Sequence, residues 1–213
     1  MIISESNKVR QSPFGTHRLS MVDRFGTWLS RRAISKQING RDKLTVLELG
    51  CGYSARNLMA IEDRSTKLVG VDFSLSESIK TNSKFLPMEC EAEEAIMRLN
   101  GQQFDLIMLI SVLEHMNNPI DILQSCRLLL KPNGILLINV PTWFGKKYLE
   151  YTAFRLGLSP KEEMDDHKMY YDKRDLWPIL IKCGFLPSNI KMHYHKFRIN
   201  LFASIREVAP SNH

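Results

Sequence analysis

The chain has 213 residues, 44% of them hydrophobic, and a formal net charge of +6. That length buries one substantial core and is short for two independent domains. The longest apolar runs, Leu106 to Leu113 and Ile135 to Val140, fall far below the roughly 20 residues that a membrane-spanning helix requires, and they read as buried strands.

The positive excess sits at one end: residues 1–45 hold nine Lys and Arg against three Asp and Glu, and residues 46–213 hold twenty of each. Four cysteines, Cys51, Cys90, Cys126 and Cys183, are scattered without a C-x-x-C pair. With no secretory leader pattern before them, a reducing cytoplasm is expected.

His17 to Ile38 carries Leu19, Val22, Phe25 and Leu29 at helical spacing, with Arg18, Arg24, Arg31, Arg32 and Lys36 between them. An amphipathic helix is predicted there, in a basic segment covering residues 1–43. Interleaved arginines suit a solvated face, the preferred reading, or a docking surface for RNA, DNA or an anionic membrane. Turn chemistry at Asn39-Gly40-Arg41-Asp42 then opens a regular alternation of strands and helices over residues 44–213.

Strands are predicted at Leu44 to Gly50, Lys67 to Asp72, Phe104 to Ser111 and Ile135 to Pro141, with a weak one at Phe85 to Glu89 that contains Pro87. Near-continuous apolar strands joined by crossover helices have no wet face, so a doubly wound parallel sheet is expected. Thr142 to Tyr171 is too long for an ordinary connection and reads as a lid. Asp172 to Cys183, ended by Gly184, is the last helix, and Ile190 to Ile205 forms two closing strands.

The strongest local signal is Val46-Leu47-Glu48-Leu49-Gly50-Cys51-Gly52-Tyr53-Ser54, a strand running into a glycine turn and a helix whose N-terminus Ser54 would cap. Such a turn suits a nucleotide-like cofactor. Gly50-x-Gly52-x-x-Ala55, with Asp72 about 20 residues on, also satisfies the dinucleotide fingerprint. The turn alone therefore admits an NAD-dependent oxidoreductase. Glu48 discriminates, because a carboxylate there would repel a pyrophosphate and welcome an amino group and a sulfonium.

From these residues the chain resembles the class I S-adenosylmethionine-dependent methyltransferases over roughly residues 44–206. Glu48-Leu49-Gly50-Cys51-Gly52 is similar to the family's first motif, and Val69-Gly70-Val71-Asp72-Phe73-Ser74 to its second-strand motif. The resemblance implies that Asp72 holds the ribose hydroxyls and Phe73 flanks the adenine. Cys90-Glu91-Ala92-Glu93-Glu94 resembles the acidic segment after the third strand, which implies Glu91 and the Ala92 amide at the adenine edge. Phe104-Asp105-Leu106-Ile107 through Ser111-Val112-Leu113-Glu114-His115 resembles the fourth strand and its exit, with Ser111 on the cofactor side. Leu130-Lys131-Pro132-Asn133-Gly134 is similar to the turn into strand five. Ser54 departs from the third glycine of many relatives. The implied fold is a mostly parallel seven-stranded sheet with an antiparallel closing strand.

His115 and His167 are the catalytic candidates, as groups that could orient an acceptor or take its proton. Asp165-Asp166-His167 is assigned no metal, and His193 and His195, an i, i+2 pair without a third ligand, are assigned nothing. Trp143, Phe144, Tyr148, Tyr151 and Phe154 either line an acceptor pocket or pack under the lid. No Asn-Pro-Pro-Tyr or Asp-Pro-Pro-Tyr run follows strand four, against an amino-methylating nucleic-acid enzyme. The expected function is methyl transfer from S-adenosylmethionine to a small metabolite by in-line displacement. The rivals are an oxidoreductase, a nucleic-acid methyltransferase and a non-catalytic cofactor-binding protein.

Overall fold

The computed structural model describes residues 21–148 and 168–208. Its chain order runs α1 (Met21–Gln37), β1 (Leu44–Leu49), α2 (Arg56–Met59), β2 (Ser65–Asp72), α3 (Glu77–Lys80) and β3 (Phe85–Glu89). It continues with α4 (Ala92–Arg98), β4 (Phe104–Ile110), α5 (Pro119–Leu128), β5 (Leu130–Pro141), α6 (Lys173–Lys182), β6 (Ile190–His195) and β7 (Asn200–Arg206).

The seven strands form one sheet in the order β3-β2-β1-β4-β5-β7-β6. Every pair among the first five is parallel, and β7 is antiparallel to both β5 and β6. The expected doubly wound sheet with one antiparallel strand is therefore present. Pro87 is tolerated because β3 is an edge strand, where a missing amide donor can face away from the sheet.

The alternation of side chains divides the core into two layers. Leu47, Leu49, Ile107, Leu109, Leu136 and Ile138 face α4, α5 and α6 through Leu99, Leu123 and Leu176. Val46, Leu106, Met108, Ile135 and Leu137 face the other way, onto Ile34 of α1, Ile38 just after it, Leu58 of α2 and Ile79 of α3. The N-terminal helix is thus packed on the sheet. Strand five begins earlier than predicted. Leu130 pairs with Phe104, the register shifts, and Ile135 pairs with Leu106, so the Pro132-Asn133-Gly134 turn lies within the strand. The four cysteines are free thiols, and burial pushes Cys126 up to about 12 and Cys183 up to about 11.

Candidate functional site

Strand order reverses between β1 and β4: the chain leaves β1 toward β2 on one side and leaves β4 toward β5 on the other. Two diverging connections open a crevice outside the carboxyl ends of these strands, where ligands of open α/β sheets bind. Gly50 closes the β1 side of it. Its φ is +68°, and a Cβ there would stand 2.1 Å from Val112 Cγ2 at the β4 exit. Only glycine meets both conditions. The Gly50 and Cys51 amides both donate to the Val71 carbonyl, at 2.8 and 3.0 Å, which ties the turn to β2.

Asp72, at the end of β2, accepts from the Gly52 amide through Oδ2 at 2.7 Å and from the Phe73 amide through Oδ1 at 2.9 Å. Phe73 beside it is largely exposed. Ser54 is not the helix cap. The capping position is Ala55, with φ +41° and no side-chain bond, because the Ala55 amide donates to the Gly52 carbonyl and the turn extends by one residue. Ala55 is fully buried. With α2 only four residues long, its dipole contributes little here.

Glu48 lies fully buried behind this turn. Asn57 Nδ2 of α2 donates to its Oε1 at 2.7 Å, and Oε2 has no partner among the described residues. Burial, reinforced by the nearby Asp72 charge and opposed mainly by the Asn57 bond, holds the carboxyl at about 8. Burial also pushes the neighbouring Cys51 thiol up.

The β4 exit carries a second buried carboxyl. Ser111 turns through a positive φ of 58°, exposes its side chain and donates its amide to the Asn139 carbonyl at 2.8 Å. Glu114 follows on a single helical turn with His115. Its side chain is buried, Oε2 has no partner among the described residues, and desolvation raises the group to about 8, with Lys196 opposing. The Glu114 carbonyl accepts from the Lys168 and Met169 amides at 2.9 and 3.3 Å. His115 is half-buried beside it. The Asn139 side chain on β5 is buried with neither its oxygen nor its nitrogen paired among the described residues.

Glu91 occupies the N-cap of α4 with its side chain exposed, and Ala92 opens the helix. Both stand at the C-terminal end of β3, next to the β2 end that carries Asp72.

Of the segment 142–171, read from the sequence as a lid, residues 142–148 and 168–171 are described. Residues 143–148 are helical, and Thr142 Oγ1 accepts from the Gly145 amide while donating to the Arg198 carbonyl at 2.6 Å. At the other end, the Tyr171 amide donates to the Pro141 carbonyl at 2.9 Å. Trp143 Nε1 donates to Asp175 of α6 at 3.1 Å, and its ring lies 5.6 Å from that of Tyr170. Both ends thus meet the strand-end crevice. Tyr148 and Phe144 are exposed, whereas His167, Tyr151, Phe154, Asp165 and Asp166 lie outside the described residues.

The rings of His193 and His195 lie 5.3 and 5.8 Å from Phe202. No cluster of metal-ligating side chains occurs among the described residues. A surface cleft of about 470 Å³ between α6 and β6, lined by Lys173, Trp177 and Met192, stands at the far edge of the sheet from Gly50 and does not belong to this site.

Glu114, Asn57 and Asn139 escaped sequence reasoning. For Asn139 the available signal was a single polar residue inside an apolar run, Ile138-Asn139-Val140.

A family model described as a methyltransferase domain matches residues 20–185. The chain belongs to the class I S-adenosylmethionine-dependent methyltransferase family. Among curated relatives, a ubiquinone biosynthesis O-methyltransferase of Histophilus somni is 31% identical over 116 residues, covering 50% of this chain and 48% of that protein. The chain thus spans about half the length of the curated relatives that it matches. Among solved structures, the plantazolicin methyltransferase BpumL, in complex with a monoazolic desmethylPZN analog and SAH, superimposes with a TM-score of 0.65 at 14% identity, over 87% of this chain and 85% of that one. A SAM-dependent methyltransferase from Archaeoglobus fulgidus gives 0.59 at 16% identity, over 88% of this chain and 100% of that one. These two likenesses concern the fold.

Proposed function

We propose that this methyltransferase transfers the methyl group of S-adenosylmethionine to a hydroxyl of a small-molecule acceptor held between the β4 exit and the segment 142–171. The observation that carries the reading is the Gly50 turn, which stands against Val112 at the β4 exit with Asp72 bonded to Gly52 and two buried carboxyls, Glu48 and Glu114, each with an unpaired oxygen among the described residues. The name of the Histophilus relative supports a hydroxyl acceptor of low mass.

The residues fit the cofactor. Gly50 and Gly52, both at positive φ, leave the backbone bare for close approach. Asp72 would hold the ribose hydroxyls, Phe73 would flank the adenine, and Glu91 with the Ala92 amide would meet its edge. Glu48 would favour the amino group from behind the turn, and Ser111 at the β4 exit would contribute on the cofactor side. Once bound, the cofactor supplies an electrophilic methyl on a sulfonium whose charge disappears on transfer. The protein's own work is alignment and exclusion of water, which contributes roughly 7 to 11 kcal/mol. His115, Glu114 and His167 are the candidates for taking the acceptor's proton.

Calorimetry should detect S-adenosylhomocysteine and not NADH, and Asp72→Ala should weaken that binding by about tenfold to hundredfold through lost charge-assisted hydrogen bonds. Incubation of a metabolite extract with methyl-labelled cofactor should label a low-mass product. Label confined to RNA or protein would overturn the acceptor class, and tight NADH binding alone would overturn the cofactor.

The Glu114 assignment has its own readout. A base held at about 8 is fully available only at alkaline pH. Turnover should therefore rise with pH toward 8, and Glu114→Gln should flatten that rise and lower turnover on the order of a hundredfold, with S-adenosylhomocysteine affinity retained. An unaltered pH profile would leave the proton to a histidine.

A further inference from the structure

One face of α1 is not explained by the core. Ile34 and Ile38 turn inward, and helical spacing then places Arg24, Phe25, Trp28, Arg32 and Lys36 on the outward side, the first four of them and Lys36 all exposed. From Arg24 to Arg41 the chain holds five cations and no acid. Phe25 and Trp28 are 50% and 51% exposed, with their rings stacked at 5.8 Å, and the Arg32 guanidinium sits 5.6 Å from the Trp28 ring centre. Two large aromatics held together on the solvent side of a packed helix are an apolar patch in a cationic frame.

A third aromatic joins them. The turn between β6 and β7 abuts the N-terminal half of α1, where a Cβ on Gly26 would lie 3.7 Å from Lys196 Nζ. Lys196, Phe197 and Arg198 occupy three successive left-handed conformations, with φ of 48°, 55° and 69°. For residues with side chains that backbone is costly, and it leaves Phe197 81% exposed at the tip, next to the exposed Arg198.

The patch has a defined position. Gln37 of α1 meets Ser204, which pairs with Leu137 inside the sheet, whereas Gly26 meets Lys196 beyond the paired strand ends. Phe25, Trp28 and Phe197 therefore stand at the same end of the sheet as the strand-end crevice.

We infer that this face docks on an anionic lipid bilayer surface and sets the mouth of the crevice at the membrane interface. Aromatic side chains with one apolar body each settle at headgroup level, and the arginines and lysine around them are attracted by anionic lipid. A nucleic-acid strand fits less well. Base stacking needs open ring faces along a groove, whereas Phe25 and Trp28 cover each other on a convex helix and Arg32 covers Trp28. The inference does not rest on methyl transfer.

The test is co-sedimentation of the full chain with vesicles of phosphatidylglycerol and phosphatidylcholine in equal parts, and with vesicles of phosphatidylcholine alone. The protein should pellet with the first and not the second, and less so as salt is raised. Phe25→Ser with Trp28→Ser should lower the bound fraction at least about tenfold, Arg24→Glu with Arg32→Glu about a hundredfold, and Phe197→Ser severalfold. Unchanged melting and S-adenosylhomocysteine binding in each variant show that folding and the cofactor site are intact, and Phe197→Ser, on a surface turn, provides an arm that does not touch α1. Failure of the unmodified protein to pellet with anionic vesicles, equal binding by all variants, or retention of a single-stranded RNA through these residues without vesicle binding would each overturn the assignment.

Discussion

Gly50→Ala is expected to lower the melting temperature by roughly 5 to 20 °C and to abolish measurable cofactor binding. Two costs add. A side chain at a φ of +68° costs roughly 1 to 2 kcal/mol, and overpacking a Cβ placed 2.1 Å from Val112 Cγ2 costs about 1 to 3 kcal/mol more. Against a stability of roughly 5 to 15 kcal/mol this is a large fraction, and each kcal/mol shifts the midpoint of a chain this size by about 2 to 4 °C. Gly40 is the internal control: its φ is +74° but no atom lies within 4 Å of a Cβ there, so Gly40→Ala should show the backbone cost alone. Adding Val112→Ala to Gly50→Ala should recover part of the packing cost. If the two glycine variants melt alike, contact between the β1 and β4 exits is not what shapes the crevice.

Glu48→Gln is expected to stabilise the protein at alkaline pH while weakening cofactor binding there. In the unfolded chain this carboxyl ionises near 4.5, and in the fold near 8. Below 4.5 it is protonated in both states and contributes no difference. Between 4.5 and 8 the folded chain retains a proton that the unfolded chain releases, so stability falls as pH rises, and above 8 the whole cost is present. That cost is on the order of 3 to 5 kcal/mol for the fully buried group. Glutamine keeps an oxygen for Asn57 Nδ2 and removes the ionisation. Denaturant titrations at pH 5 and at about pH 8.5 should therefore agree for the two proteins in acid and diverge in base. Glu114 has the same raised value and leaves a residual slope in the variant. A cation brought to Glu48 favours its ionised form, so the unmodified protein's affinity for S-adenosylhomocysteine should rise toward pH 8 and the variant's should stay flat. Parallel stability curves would mean that water reaches Glu48 and that the carboxyl titrates normally.

Both variants also bear on the oxidoreductase rival. Glycine spacing could not separate a nicotinamide from a sulfonium cofactor, because both need bare backbone at a strand exit. The family match decides for methyl transfer.

Amino-acid order by itself determined the parallel sheet and the place of the glycine turn. Strands buried on both faces must be apolar at nearly every position, and a chain that bends sharply with no room for a side chain must carry glycine, so both are written in local residue types. Local chemistry also marked Asp72, whose carboxylate lies next to the turn it supports. Tertiary structure decided what depends on distant neighbours. Ser54 had the better capping chemistry, yet the Ala55–Gly52 bond moved the helix start by one residue. Pro87 was compatible with a strand only because β3 lies at an edge. Glu114 became a raised acid because burial strips its side chain of water where residues 168 and 169 return across its turn, and the Lys196 charge from the β6–β7 hairpin only partly opposes that. The charge state of a carboxyl follows the water it loses, and water is excluded by residues far away in the chain, so no spacing rule along the sequence could have assigned it.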